Sequence, residues 1–346
     1  MRNQLTPRKS HRSTGRITLN DVARAAEVSP STVSRALRGE RAVDPDLVAR
    51  VVAVSEKLGY VPDPAARALA SQRSDHVTIL IPLLTNTLFV DLLDAAQSTL
   101  RAAGFQTLMG VTHYNVNEEE QLLREQLHHR PAGMLITGLD HSPATQKLMA
   151  RSQVPCVHLM DLPHEQKDSV YCVGFRQTDA GEAMTHYLLN QGKKRIVFAA
   201  AQLDPRVMQR LMGWRKALKA AGLYDETLEW LNPAPSSLAL GGNMFEQIMK
   251  QCPSVDAIFF CNDDLAQGAL LAALRMGVSV PQQVAISGFN DLTGSDQMWP
   301  PLTTVRTPRA QVGEAAAKML LQLIQGEIPD NSQIDLGFEI IPRQSA

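Results

Sequence analysis

Three polar side chains in this sequence each follow a strand-like run, the place where parallel α/β proteins collect their ligand contacts. Asp161 follows Val154–Leu159, Asn262 follows Ala257–Cys261, and Asn290 sits in Gly288-Phe289-Asn290-Asp291 after Ala285–Gly288. A fourth, Arg210, lies in the helical stretch Pro205–Ala221, ahead of Gly213-Trp214. Its planar fork suits a carboxylate or a pair of hydroxyls, and the amides and the carboxylate suit sugar hydroxyls. The same residues have plainer uses: Asn262 can cap a helix, and Arg210 can pair on a helix surface. If they act together, their chemistry is recognition and not bond cleavage.

A second group lies near the N-terminus. The run Ser29-Pro30-Ser31-Thr32-Val33-Ser34-Arg35 opens a helix with hydroxyls and closes on an arginine, and Arg38 follows. Hydroxyls and free N–H groups at a helix N-terminus suit phosphate oxygens. Arginine is the side chain that grips guanine bidentately in the major groove.

Catalytic signatures are missing. The sequence has no G-x-S-x-G, H-E-x-x-H, G-x-x-x-x-G-K-[ST] or G-x-G-x-x-G run, so hydrolase, metalloprotease, P-loop and dinucleotide chemistries lack their usual frames. The acid pair Asp263/Asp264, and Asp291 beside Asn290, stand without a neighbouring base. Cys156, Cys172, Cys252 and Cys261 show no C-x-x-C spacing and fall in apolar runs, where free cysteine acts as a small hydrophobe. We expect no metal, no cofactor and no disulfide framework. The polar run after Met1 lacks the apolar segment of about 7–15 residues of a secretory signal. The stretch Val77–Leu84 is far short of the roughly 20 residues that cross a bilayer. These features predict a cytoplasmic protein with no membrane partner.

The elements that must position these groups can be read from periodicity. Leu19, Val22, Ala23 and Ala26 share one helix face; a turn through Glu27–Val28 follows, and a second helix starts at Pro30 behind Ser29 as N-cap. This is a helix-turn-helix. A third amphipathic stretch, Pro45–Leu58, presents Leu47, Val48, Val51, Val52, Val54 and Leu58 and can close a small core. Beyond residue 75, strand-like runs (Val77–Ile81, Thr107–Val111, Met134–Thr137, Val154–Leu159, Ile196–Ala200, Ala257–Cys261, Ala285–Gly288) alternate with amphipathic helical stretches. That alternation predicts parallel α/β sheets. Seven such units exceed one compact sheet, so two doubly wound subdomains are expected. The change falls near Gly174–Phe175, and the last part, Thr303–Pro342, crosses back.

Charge separates the same two regions. The net charge of −1 would argue against a polyanion partner. Residues 1–73, however, hold 13 Lys+Arg against 7 Asp+Glu, a balance of +6, and the rest holds 21 against 28, a balance of −7. A basic head on an acidic body points one end of the molecule at a polyanion. The first 16 residues, with Arg2, Arg8, Lys9, Arg12 and Arg16 and no acid, read as a flexible basic tail.

Residues 17–71 resemble the DNA-binding head of the lactose/galactose repressor family. The pattern T-x-x-D-V-A-x-x-A-x-V-S-x-x-T-V-S-R is met by Thr18, Asp21, Val22, Ala23, Ala26, Val28, Ser29, Thr32, Val33, Ser34 and Arg35. G-Y-x-P is met by Gly59, Tyr60 and Pro62, and the A-R-x-L-A hinge by Ala66, Arg67, Leu69 and Ala70. The resemblance implies that Pro30, Ser31 and Arg35 read bases, with Thr18, Ser29, Thr32, Ser34, Arg38, Tyr60 and Ala66 in the same interface. It also implies that hinge helices of two subunits order on DNA and wedge Leu69 into the minor groove, kinking the duplex. Glu27 departs from the family, which often has Gly or Asn there. If the turn needs a positive φ, Glu27 costs roughly 1 kcal/mol.

The resemblance continues through the body. N-D-x-x-A-x-G-A occurs at Asn262–Ala269, G-F-N-D at Gly288–Asp291, P-P-L-T-T-V at Pro300–Val305, and R-x-x-G-W at Arg210–Trp214. It implies a fold like periplasmic sugar-binding proteins, with an effector between two subdomains whose closure alters the spacing of the heads. Arg210, Asn290 and Asn262 match effector contacts. His158-Leu159-Met160-Asp161, Cys261–Ala269 and Val305-Arg306-Thr307-Pro308-Arg309 are most similar to the gluconate-type members. We therefore add Phe89, His158, Asp161 and Arg309 to the expected effector site, with Arg176 as a further candidate. Arg309 falls where some relatives place an aromatic, and a second arginine there would favour an anion.

The resulting expectation is a DNA-binding repressor, acting as a homodimer on a pseudo-palindromic operator and answering to a sugar acid such as gluconate or 2-ketogluconate. A neutral sugar or a nucleobase as effector, or a sugar-binding transport component, remains open at this point. The expected boundaries are 1–16 for the tail, 17–60 for the helix-turn-helix and 61–73 for the hinge helix. Residues 74–346 form the effector-binding and dimerisation domain, one subdomain spanning about 74–174 plus part of 303–346 and the other about 175–302.

Overall fold

The structure, a computed structural model, describes residues 17–37, 43–61, 74–84, 87–163 and 170–346. The basic tail, Arg38 and the hinge residues Ala66 and Leu69 lie outside the described residues. The chain divides into two compact units, Met1–Ser74 and Asp75–Ala346.

The first unit holds helices α1 (Leu19–Ala25), α2 (Pro30–Leu37) and α3 (Pro45–Leu58). Thr18 caps α1 in a reciprocal box: the Asp21 N–H donates to its hydroxyl, and the Thr18 N–H donates back to the Asp21 carboxylate at 2.9 Å, which satisfies donors that a helix start leaves free. Ser29 caps α2 by accepting the Thr32 N–H at 3.1 Å. The turn between them takes the left-handed region at Glu27, φ 54°, so the position does need the positive φ that Gly or Asn accepts more readily than Glu. Asp44 caps α3, and Gly59, at φ 65°, ends it. Val22, Ala23, Ala26, Val33, Ala36 and Val51 form the core of the unit. Val52, expected on the inner face of α3, is exposed because it lies past the edge of that apolar stripe.

The second unit carries two parallel sheets. One is six-stranded: β1 (His76–Ile81), β2 (Gln106–Val111), β3 (Gly133–Thr137), β4 (Cys156–Leu159), β5 (Cys172–Gly174) and the returning β11 (Gln333–Asp335), in the order β11-β5-β4-β3-β1-β2. The other is four-stranded: β6 (Ile196–Ala201), β7 (Glu229–Asn232), β8 (Ala257–Phe260) and β9 (Ala285–Ser287), in the order β7-β6-β8-β9. A short antiparallel pair, β10 (Thr304–Arg306) with β12 (Glu339–Ile341), completes the strands.

The helices are α4 (Leu88–Ala102), α5 (Val116–His128), α6 (Pro143–Ser152), α7 (Gln177–Asn190), α8 (Pro205–Ala220), α9 (Leu238–Gln251), α10 (Asp263–Met276) and α11 (Arg309–Gln325). Strands β1, β6 and β8 are buried almost throughout, as parallel strands covered on both faces must be. The chain leaves the first sheet after β5 and starts α7 at Gln177. It returns through α11, which packs on α4, and through β11. One segment is thus shared between the halves, and a single core cluster runs through both.

Helix pairs in this unit approach closely at glycines. A Cβ on Gly181 would run into the Arg210 carbonyl, and one on Gly213 into the Thr178 carbonyl, so α7 and α8 meet backbone to backbone. Gly313 does the same between α11 and Leu92. No helix among the described residues is long and apolar enough to cross a membrane.

Candidate functional site

In the first unit, the N-terminus of α2 carries linked hydroxyls. Ser29 Oγ lies 2.7 Å from Ser31 Oγ and 2.8 Å from Thr32 Oγ1. Ser29, Pro30, Ser31 and Arg35 are exposed, while Thr32 and Ser34 are half-buried. Pre-ordered hydroxyls at a helix N-terminus suit phosphate oxygens, with Arg35 on the same short helix. Two of the expected interface residues also hold the head together. The Thr18 hydroxyl is bound to Asp21 at 2.6 Å, and Tyr60 packs partly buried against the core of this unit.

In the second unit, the C-terminal ends of both sheets face one cleft. The loop after β9 supplies Asn290, held at φ 104° with Asp291 at φ 51°, a conformation a non-glycine residue adopts only under constraint. The constraints are visible. The Asn290 N–H donates to the Val305 carbonyl at 2.8 Å, and the Asp291 carboxylate pairs with Arg306 at 2.8 Å and Arg343 at 2.7 Å. The Arg309 guanidinium donates to the carbonyls of Asn290 and Asp291 and to the Asp91 carboxylate. Arg309 is therefore engaged by the loop and by Asp91, and it lines neither cavity of the cleft, contrary to the expectation for it. The Asn290 Oδ1 is buried and has no hydrogen-bond partner.

Asn262 caps α10 by accepting the Leu265 N–H at 3.1 Å, and its amide donates to Ser236 Oγ at 2.9 Å. Below it, Asp263 is fully buried and accepts from Thr304 Oγ1, Ser295 Oγ and the Leu292 N–H. Burial pushes its pKa up to about 6.

Arg210 projects from α8 between the sheets. Its Nε donates to Gln177 Oε1 at 2.8 Å and its Nη1 to the Cys261 carbonyl at 2.6 Å. Gln177 is itself held by the Met160 carbonyl. The guanidinium lies over the Phe289 ring at 3.8 Å. Among the described residues it has no carboxylate within ion-pair distance, and its second amino group makes no hydrogen bond. Burial lowers its pKa.

One turn earlier, Arg206 projects from the same face. Its Nε donates to Asp204 at 3.2 Å and its Nη2 to the Tyr114 hydroxyl at 3.4 Å. Burial works against its charge, but Asp204, Tyr114 and Asp161 outweigh burial and hold its pKa up. Leu83, Leu88, Tyr114, Gln202, Asp204, Arg206, Val207, Arg210, Ser236, Asn262 and Asn290 surround a small void of about 30 Å³. A larger cavity of about 290 Å³ shares Tyr114, Gln202, Asp204 and Arg206 with it and extends to Thr112, Glu119, Thr137, Asp140 and Asp161. That volume is at the small end for ligand pockets, roughly 300–1,000 Å³.

Asp161 is buried in the wall of the larger cavity, accepting the Leu162 N–H at 2.9 Å and Gln209 Nε2 at 3.3 Å. Burial pushes its pKa up to about 6 against the pull of Arg206. His158 lies behind the wall, its Nδ1 at 2.9 Å from the Gly138 carbonyl. Burial and His141 push its pKa down to about 4, so it stays neutral. The structure thus brings Asp161, Arg210, Asn262 and Asn290 to the cleft.

The remaining expected residues sit elsewhere. Phe89 is buried in the core under α4, since an apolar ring at the first turn of that helix has the sheet to pack against. Exposed Arg176 pairs with Asp335 at 3.6 Å. Sequence reasoning missed Arg206, although its i−4 spacing from Arg210 puts both on one helix face. It also missed Tyr114, Asp204, Gln202 and Glu119, which come from loops and a helix start without periodic signal. Among the described residues no group of His, Cys, Asp or Glu is arranged to hold a metal ion.

Comparison with known proteins agrees with this architecture. Residues 18–63 match "Bacterial regulatory proteins, lacI family", and residues 74–341 match "Periplasmic binding proteins and sugar binding domain of LacI family". The chain is 50% identical to the HTH-type transcriptional regulator GntR of Pseudomonas aeruginosa, over 97% of this chain and 98% of that protein. It is 33% identical to the regulator GntR of Escherichia coli K12, over 94% and 97%. Among solved structures it resembles the transcription regulator GntR from Chromobacterium violaceum, at 49% identity and a TM-score of 0.76, covering 78% of this chain and 98% of that one. On these matches, which span both units, the chain belongs to the LacI family of bacterial regulatory proteins.

Proposed function

We propose that the protein is a repressor whose dimer holds a pseudo-palindromic operator through its two basic heads and lets go when a sugar acid, gluconate or 2-ketogluconate, enters the cleft. One helix-turn-helix covers a half-site and a dimer covers two. Arg35 and the hydroxyl cluster of Ser29, Ser31 and Thr32 serve the DNA.

The single observation that carries the effector class is Arg210. A buried guanidinium is costly unless its charge is met. Arg210 directly contacts only an amide, a carbonyl and a ring, and Asp204, which favours its charge from beyond ion-pair distance, does not outweigh burial. A ligand carboxylate supplies the missing charge. Beside it, Asn290 Oδ1 awaits a donor, which a ligand hydroxyl supplies. Arg206, already committed to Asp204, is a weaker second pole.

The test is calorimetry of the full chain against gluconate, 2-ketogluconate, a neutral hexose and a purine, followed by operator binding with and without the ligand that binds. We expect an acid to bind and to weaken operator binding. Tight binding of the hexose or the purine with no response to the acids overturns the acid reading and leaves the neutral alternative.

A further inference from the structure

The larger cavity has a side chain that the proposed effector contacts do not use. Glu119, in the second turn of α5, lines its wall. Its Oε1 lies 2.8 Å from His141 Nδ1, and the two side chains are only 13% and 2% exposed. A carboxylate can only accept, so His141 Nδ1 carries the hydrogen of this bond. His141 Nε2 then meets His158 Nδ1 at 3.2 Å, and His158 Nδ1 also meets the Gly138 carbonyl at 2.9 Å. An Nδ1–H on His158, shared between the Gly138 carbonyl and His141 Nε2, accounts for each of these three contacts. The row runs from the end of β3, through β4, to the carboxylate in the cavity wall.

The result is a carboxylate fixed at one oxygen and open at the other. Glu119 Oε2 has no hydrogen bond among the described residues, and the fixed Oε1 leaves it few orientations. Holding a side chain in place before the ligand arrives lowers the ordering cost of binding. Arg210 and Asn290 border the small void, whereas Glu119 borders only the larger cavity, with Tyr114, Gln202, Asp204 and Arg206 common to both. A ligand with its carboxylate at Arg210 therefore reaches Glu119 only with its far end.

We propose that Glu119, positioned by His141, is a specificity-determining residue that accepts a hydrogen bond from a hydroxyl at the far end of an extended polyhydroxy acid and so selects for chain length. This rests on the reading that the carboxylate lies at Arg210. A bond from hydroxyl to carboxylate is charge-assisted and stronger than a neutral one. A short acid offers nothing to Glu119.

The test compares gluconate, with six carbons, and glycerate, with three, by calorimetry on the full-length protein, with melting temperature followed for each variant. In the parent protein gluconate binds more tightly than glycerate. Glu119→Ala weakens gluconate roughly tenfold to a hundredfold, the range for a charge-assisted bond, and leaves glycerate unchanged. Glu119→Gln, which keeps shape and the bond to His141, guards against a folding defect and gives a smaller loss of the same kind. His141→Ala also weakens gluconate alone, and the double variant is no worse than Glu119→Ala, as expected for a residue acting through another. A merely structural role would lower the melting temperature and weaken both acids equally. An unchanged gluconate-to-glycerate ratio in Glu119→Ala overturns this inference and leaves the acid reading standing. If gluconate, 2-ketogluconate and glycerate all fail to bind the parent protein, the acid reading fails and takes this inference with it.

Discussion

The Arg210 guanidinium stacks on the Phe289 ring at 3.8 Å, and Phe289 in turn stacks on Phe175 at 6.3 Å. The ring holds the cation by its face without neutralising it, so the charge is oriented and remains available. Arg210→Ala should abolish the effector response while operator affinity stays at the parent level. Each lost charge-assisted bond accounts for about 1.5–3 kcal/mol of effector binding. Gel shift and calorimetry on the same preparation check both halves, and a variant that remains fully inducible removes Arg210 from the pocket.

Operator binding should depend on Arg35. Arg35→Ala should weaken it by about 1–3 kcal/mol and relax sequence preference, as loss of a base contact does. Ser29→Ala should cost about 1 kcal/mol of head stability through the lost cap, visible as a lower melting temperature. A titration across single-base operator variants distinguishes the two: only Arg35→Ala flattens the preference, and equal affinity for parent and Arg35→Ala would contradict the base-reading role.

What the sequence made legible divides along physical lines. Helices with strong periodicity and caps, such as Pro205–Ala220 behind Asp204 and Asp263–Met276 behind Asn262, are readable because cap and stripe agree. The long helix Arg309–Gln325 lies in the stretch expected only to cross back, although Val312, Ala316, Met319 and Leu320 repeat at helical spacing. No side chain caps its start, so stripe stands there without cap. The three-residue strands Cys172–Gly174 and Gln333–Asp335 have no period to read; they exist because a neighbouring strand offers an edge. Site residues follow the same rule. Asn262 and Asn290 can be found because strand ends mark ligand positions. Glu119 cannot, because nothing local ties α5 to His141, which lies 22 residues away.

The acid Asp161 predicts a pH dependence. Its pKa in the free protein is pushed up to about 6 by burial, and an anion entering beside it raises that value further. Binding therefore takes up a proton on this group, and affinity for the acid rises as pH falls from about 8 toward 6. His158, pushed down to about 4, does not change charge in that window. Calorimetry in buffers of different ionisation enthalpy should detect the proton uptake near pH 6, and Asp161→Asn should remove it. A pH-independent affinity in the parent protein would contradict this account.

The contact between α7 and α8 predicts a different failure. A methyl on Gly181 would meet the Arg210 carbonyl, and backbone cannot swing aside as a side chain can. Gly181→Ala should destabilise the protein by about 1–3 kcal/mol, the usual range for overpacking. It should also weaken effector binding, since the shift falls on the residue that carries the guanidinium. A melting temperature within error of the parent would mean that the helices part freely.

Arg309 separates holding the site from touching the ligand. Its fork joins Asp91 on α4 to the Asn290 and Asp291 carbonyls, so it fixes the left-handed loop that aims Asn290. Arg309→Ala should leave those carbonyls short of donors, costing about 1–3 kcal/mol of stability, and the released loop should lower effector affinity in parallel. Arg210→Ala should lower affinity with a much smaller change in melting temperature. Plotting affinity loss against melting shift for the two variants places them on different lines, because Arg309 acts on the ligand only through the backbone it holds. If Arg309→Ala loses affinity at an unchanged melting temperature, the side chain touches the ligand after all, and the loop needs another explanation for its hold at φ 104°.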